Sequence, residues 1–237
     1  MKIVTWNCSM AFRKKAALIL KHDPDIAIIP ECEHPDKLKF DPGVRLPDNV
    51  FWFGNNHNKG LGVFSYGNYK LQLDDIHNSD FRTILPLTVS NKKSTYSLFA
   101  IWANNPLDRG YHYVGQVWKA INFYADLLKN KKTILVGDFN SNSIWDKPRR
   151  EGNHSTVVEF LANKGIHSTY HKFFNHSQGK EKHDTLFMYR HKNKSYHIDY
   201  CFASEDLISK LSHVEVGKHC DWCKHSDHTP LIVTFNG

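Results

Sequence analysis

The chain has 237 residues, 41% apolar and 23% charged, with a formal net charge of +7. Those shares belong to a globular protein with a sizeable core. The lack of any membrane-length apolar run, Pro/Gly/Ser-rich linker or low-complexity tract argues against a membrane-spanning or linker-joined chain.

Lys2-Ile3-Val4-Thr5 is a short strand-like run closed by Trp6-Asn7, and no signal-peptide-like stretch precedes it. Phe12, Ala16, Ile19 and Leu20 then mark one helical face, which Asp23-Pro24 ends. The apolar run 26–30 leads directly to Glu31. Strands are predicted over 51–53, 61–65, 70–76, 83–90 and 95–103, with Trp102-Ala103-Asn104-Asn105 at the end of the last. Val114, Val117, Ile121, Tyr124 and Leu128 keep the 3-4-3-4 spacing of a helix with one buried face. The run 133–136 ends in Gly137-Asp138-Phe139-Asn140. A helix is predicted from a Ser155 cap to about 164, with Gly165 as its stop. Strands return around 184–191, 196–203, 214–216 and 231–235. His197-Ile198-Asp199-Tyr200 opens the second of these, and Ser226-Asp227-His228 stands before the last.

The long central β segment is incompatible with a simple βαβ repeat. It predicts an α/β fold, a four-layer sandwich of two mixed β-sheets packed face to face with helices outside. Stacked sheets would bring the motif-bearing strand ends to one edge, gathering Asn, Glu, Asp and His from both ends of the chain. A site built that way implies one domain over 1–237. Oxygen ligands with one histidine are the chemistry of a hard divalent cation acting on phosphate. The positive balance suits a polyanionic partner and equally an ordinary basic surface. Five cysteines, an odd number without a small-framework pattern, point to reduced thiols and a cytoplasmic location.

These motifs, in this order over nearly the whole chain, resemble the endonuclease/exonuclease/phosphatase superfamily, which includes exonuclease III, deoxyribonuclease I and the inositol-polyphosphate and sphingomyelin phosphodiesterases. The stretch 137–150 with Asn153-His154-Ser155 is similar to a bacterial branch of it. The resemblance implies Mg²⁺ or Mn²⁺ held by Glu31, Asn7 and Asp227. It implies Asp138 and Asn140 positioning the attacking water and the scissile phosphate, and His228 paired with Asp199 stabilising charge on phosphorus oxygens. Glu33, two residues beyond Glu31, is the rival ligand, because a strand's period of two points it to the same side. Many relatives carry Tyr or His near Trp102. Either that group is dispensed with here, or Asn104 or Asn105 contacts phosphate, with His112 a further candidate. Trp102 itself is otherwise a core aromatic.

Asn142, Trp145, Arg149, Arg150 and His154, with Ser141, are expected to rim the cleft, or else to form a solvated loop around one packed Trp. Cys220 and Cys223 between His219 and His225 have zinc-like spacing but form only one such pair, so plain thiols are preferred. The function implied is a metal-dependent phosphodiesterase, foremost a nuclease on DNA or RNA, with no membrane partner and a monomeric state favoured. Hydrolysis of a small or lipid phosphate is the second reading, and a non-catalytic nucleic-acid-binding module the third.

Overall fold

The computed structural model describes residues 1–104 and 111–237. Among them are fourteen strands, six α-helices and several short 3₁₀ turns. The first sheet contains β1 (Lys2–Thr5), β2 (Ile26–Cys32), β3 (Asn49–Asn56), β4 (Lys59–Ser65), β13 (Leu211–Val216) and β14 (Leu231–Phe235) in the order β13-β14-β1-β2-β4-β3. The second contains β5 (Lys70–Leu73), β6 (Ile84–Ser90), β7 (Thr95–Trp102), β8 (Thr133–Asp138), β9 (Ile166–Ser168) and β12 (Asp199–Ser204) in the order β5-β6-β7-β8-β12-β9. A separate hairpin pairs β10 (Leu186–Phe187) with β11 (Ser195–Tyr196).

Each sheet has one parallel pair at its centre, β1 with β2 and β7 with β8, and antiparallel neighbours around it. This arrangement builds the site edge. The carboxyl ends of the parallel strands lie beside the amino ends of β12 and β14, so Asn7, Asp138, Asp199 and His228 emerge at one edge although they are far apart in sequence.

Both faces of the central strands are buried, which is why they read as unbroken apolar runs. Alternate residues serve different layers. Ile3, Ile28, Leu98, Ala100, Ile134, Val136, Cys201 and Val233 fill the space between the sheets. Phe99, Ile101, Leu135 and Phe202 point outward against α2 (Val114–Phe123) and α3 (His154–Ala162). Val4, Ala27, Ile29 and Phe64 face Phe12 and α1 (Ala16–Leu20) on the other side. The four layers are therefore helix, sheet, sheet and helix. No helix among the described residues is long and apolar enough to cross a membrane.

Several boundaries differ from the periodicity. The helix expected to reach Leu128 stops at Phe123 and resumes as a turn over Leu127–Lys129. Asn153, not Ser155, precedes α3, and the Asp146 carboxylate accepts from the His154 and Ser155 backbone N–H groups at 2.9 and 3.0 Å. A side chain from outside the helix thus does the capping. The strand expected over 196–203 is split at His197-Ile198, because the Ile198 and Asp199 N–H groups donate to Thr185 Oγ1 at 3.0 Å. The helix α4 (Thr169–Phe174) and the strand β9 carry too few residues to show a period.

Candidate active site

At the shared edge, Asn7, Ser9, Glu31, Asp138, Asn140, Leu186, Met188, Tyr189, Arg190, Asp227 and His228 line a cleft of about 630 Å³. Trp6 and Asn7 are locked to the last motif across the whole chain. Trp6 Nε1 donates to the His228 carbonyl at 2.9 Å, and Ser226 Oγ donates to the Asn7 carbonyl at 2.7 Å.

Asp138 is fully buried at the end of β8. It accepts from Asn7 Nδ2 at 3.1 Å and from the Asn140 backbone and amide at 2.9 and 3.1 Å. Asn140 turns back through a left-handed backbone (φ 48°) and also donates to the Ala103 carbonyl at 2.7 Å. Burial, and then the neighbouring Asp199 carboxylate, push the Asp138 acid up to about 7, against the pull of His228 and the hydrogen bonds.

His228 Nδ1 meets Asp199 Oδ2 at 2.8 Å. Burial opposes a charge on the ring, but Asp199 beside it, with Asp138 and Asp227 beyond, lifts it to about 10. The ring is therefore an imidazolium at neutral pH, its Nδ1–H is committed to Asp199, and its other nitrogen is left for the cleft.

Glu31 and Glu33 part company. Pro30 pairs with Leu61 and Cys32 with Gly60, so Glu31 is the extra residue of a β-bulge and has φ 60°. The bulge breaks the period of two that would have put both carboxylates on one side. Glu31 lines the cleft, 3.1 Å from Lys59 Nζ and 3.5 Å from Asn7 Nδ2. Glu33 is buried and turned away, accepting from the Phe12 and Arg13 N–H groups at 2.6 and 3.1 Å and from Arg13 Nη1 at 2.9 Å. Its work is to hold the turn after the left-handed residues Ser9, Met10 and Ala11.

Trp102 pairs in register with Asp138 at the end of β7, half-buried, with Lys59 Nζ 5.5 Å from its ring centre. Lys59 thus touches Glu31 and Trp102 together.

The loop beyond Asn140 behaves otherwise than a cleft rim. Asn142 is buried, donating to Glu181 and to the His197 carbonyl and accepting from the Ile144 N–H. His154 is buried between Ser141 Oγ and Gln178 Oε1, and burial lowers its pKa. Trp145 packs on Tyr196 with centroids 4.7 Å apart. Arg150 donates to the His112 carbonyl at 2.9 Å. Asn104 donates to Thr83 Oγ1 at 3.0 Å. None of these lines the cleft, nor do Arg149 and His112; Asn105 lies outside the described residues. Cys220 is exposed and Cys223 buried, and neither joins a group of three ligands among the described residues.

Sequence reading passed over Met188, Tyr189 and Arg190. Tyr189 and Arg190 are both left-handed (φ 53° and 63°), and Tyr189 is 77% exposed. Their only sequence signal is a basic stretch, Arg190-His191-Lys192-Asn193-Lys194, just ahead of the His197-Ile198-Asp199 motif.

Behind the cleft, Glu181 carries the buried network. His171 Nε2 lies at 2.9 Å, the Gly179 N–H at 3.0 Å and Asn142 Nδ2 at 3.2 Å. Burial opposes its charge, but these hydrogen bonds outweigh it and hold the acid at about 2. With an unfolded value of 4.5, Glu181 stabilises the fold above that pH, and the contribution is lost as pH falls through about 2. Glu181→Gln is expected to cost roughly 1–3 kcal/mol at neutral pH. It should also flatten acid unfolding in that window, as read by denaturant midpoints against pH.

Oxygen donors from Glu31, Asp227 and Asn7 suit a hard divalent cation. Glu31 already draws an ammonium group, and Asp199 Oδ1 is buried without a partner among the described residues. Asp138 and Asp199 add two buried carboxylates whose oxygens come within 4.8 Å of one another. The residues fit a cation.

No curated protein sequence matches the chain. Several solved structures share its fold. A 3'-5' exonuclease from Neisseria meningitidis is 18% identical with a TM-score of 0.65, and the match covers 100% of both chains. A 3' phosphatase from Neisseria bound to a product DNA hairpin is 18% identical with a TM-score of 0.63, again over 100% of both. An AP endonuclease from Archaeoglobus fulgidus is 16% identical with a TM-score of 0.72 over 100% of both. The model for the endonuclease/exonuclease/phosphatase family matches residues 4–228, a span that opens on β1 and closes on the imidazole of the cleft. The chain is a member of that family.

Proposed function

We propose that this chain is a divalent-metal-dependent phosphodiesterase acting on nucleic acid. The observation that carries the reading is the convergence of Asn7, Glu31, Asp138, Asn140, Asp227 and His228 on one open cleft. A bound Mg²⁺ or Mn²⁺ would polarise a phosphoryl oxygen and neutralise its charge, and Glu31, Asp227 and Asn7 are the residues placed to hold it. Asp138 accepts a hydrogen bond from the attacking water and aligns it. Its raised pKa suits a group that gains a proton as that water reacts. Asn140, whose amide donates to Asp138 and to the Ala103 carbonyl, holds the Asp138 carboxylate in place beside the phosphate. His228, charged and anchored by Asp199, donates to the oxygen on which charge grows.

Nucleic acid is favoured over a small phosphate because the cleft rim carries Arg190 beside the exposed Tyr189, a guanidinium for phosphate and an aromatic face for a base. The DNA hairpin in the Neisseria phosphatase supports the same class of substrate. The five free cysteines favour a reducing compartment such as the cytoplasm.

The test is cleavage of labelled single- and double-stranded DNA, an abasic-site duplex, RNA and small phosphate esters with Mg²⁺, Mn²⁺ or EDTA. Nucleic-acid cleavage abolished by EDTA is expected, with product lengths separating endo from exo action. Turnover confined to small phosphates would overturn the choice of substrate. Glu31→Gln is expected to raise the Mg²⁺ concentration for half-maximal rate by roughly 10–100-fold, the size of effect seen when a metal site loses a supporting group. A rate titration with Mg²⁺ checks it.

A further inference from the structure

We propose that His34, Asp36 and His57 form a second metal site, separate from the cleft, that takes a borderline divalent cation such as Zn²⁺. Their ligand atoms lie within 4.8 Å of one another at the surface where the end of β2 meets the β3–β4 hairpin. Two imidazoles with one carboxylate are a zinc-type donor set, unlike the oxygen-rich set around Glu31.

The two histidines are held in place by their surroundings. The His34 N–H donates to the His57 carbonyl at 2.8 Å, tying the two segments together. The two rings stack with centroids 4.5 Å apart and 22° between planes. Trp52 presses edge-on against His34 at 4.8 Å, and its own Nε1 is fixed to the Cys32 carbonyl at 3.0 Å. Trp52 can lie there because Gly54 and Gly60 have no side chains, and a Cβ on Gly60 would come 2.3 Å from the indole. Lys37 Nζ donates to Asn58 Oδ1 at 2.6 Å, closing the same junction.

His34 Nδ1 accepts from the Asp36 N–H at 3.3 Å and also faces Asp36 Oδ2 at 3.2 Å. The site would clamp the hairpin that carries Lys59, the cation on Glu31.

The test uses untagged protein, with Zn²⁺ titrated calorimetrically in excess Mg²⁺ and Co²⁺ followed by its visible absorption. Wild type and Glu31→Gln are expected to bind Zn²⁺ alike, at one equivalent. His57→Gln and Asp36→Asn should each weaken binding by about tenfold or more, since losing a ligand costs at least as much as losing its supporting hydrogen bond. Zn²⁺ should raise the melting temperature of wild type and not of His57→Gln. The metal-free variants should melt as wild type does. Unchanged Zn²⁺ affinity in both His57→Gln and Asp36→Asn would overturn the proposal. So would binding lost in Glu31→Gln alone.

Discussion

His228→Gln is expected to lower single-turnover cleavage by about a thousandfold while leaving the Mg²⁺ requirement unchanged. The size follows from removing one donor aimed at developing charge, which costs about 10²–10³, together with the loss of a full positive charge from a buried position. Asp199→Asn should lose at least as much. The amide cannot hold the Nδ1–H as the carboxylate does at 2.8 Å, and in a comparable aspartate–imidazole pair the same change costs about 10⁴. The double variant should be hardly worse than the worse single one, because the pair acts as one unit. Additive losses, or rescue of either variant by more Mg²⁺, would show that these residues serve metal binding and not charge on phosphorus.

Gly137→Ala should destabilise the protein by roughly 3–5 kcal/mol, the upper range for a single substitution. Gly137 has φ 144°, and a Cβ there would sit 1.8 Å from the Ile101 carbonyl oxygen. The obstacle is backbone of the neighbouring parallel strand, so no side chain can turn aside. Relief requires β7 and β8 to separate where Trp102 and Asp138 pair. Whatever protein still folds should therefore also have lost activity. Gly43→Ala is the control: its φ is 86° but nothing lies within 4 Å, so only the backbone preference is felt, about 1 kcal/mol. Urea unfolding of both measures the contrast. Equal losses would mean that the close approach of the strands contributes little.

The sandwich was legible because its central strands are buried on both faces and so stand out as apolar runs, each with a polar motif at the end nearest the shared edge. Leu231–Phe235 shows this most plainly, its observed bounds being those of the run. What could not be read depends on contacts distant in sequence. The bulge that sends Glu31 and Glu33 apart exists only once β4 is alongside. Asn142 and His154 look like loop residues until Glu181 and Gln178, far along the chain, enclose them. Tyr189 and Arg190 reach the cleft through the path of a hairpin, and their own residue types say nothing of it.

The hydrogen bonds from Trp6 to His228 and from Ser226 to Asn7 span 222 and 219 positions. Closing contacts so distant in sequence is slow, and it comes after local structure has formed. Catalytic competence is therefore expected to return late in folding. In refolding from urea, the return of cleavage should lag behind the return of far-ultraviolet dichroism. A half-folded molecule would leave untouched whatever phosphoester it acts on.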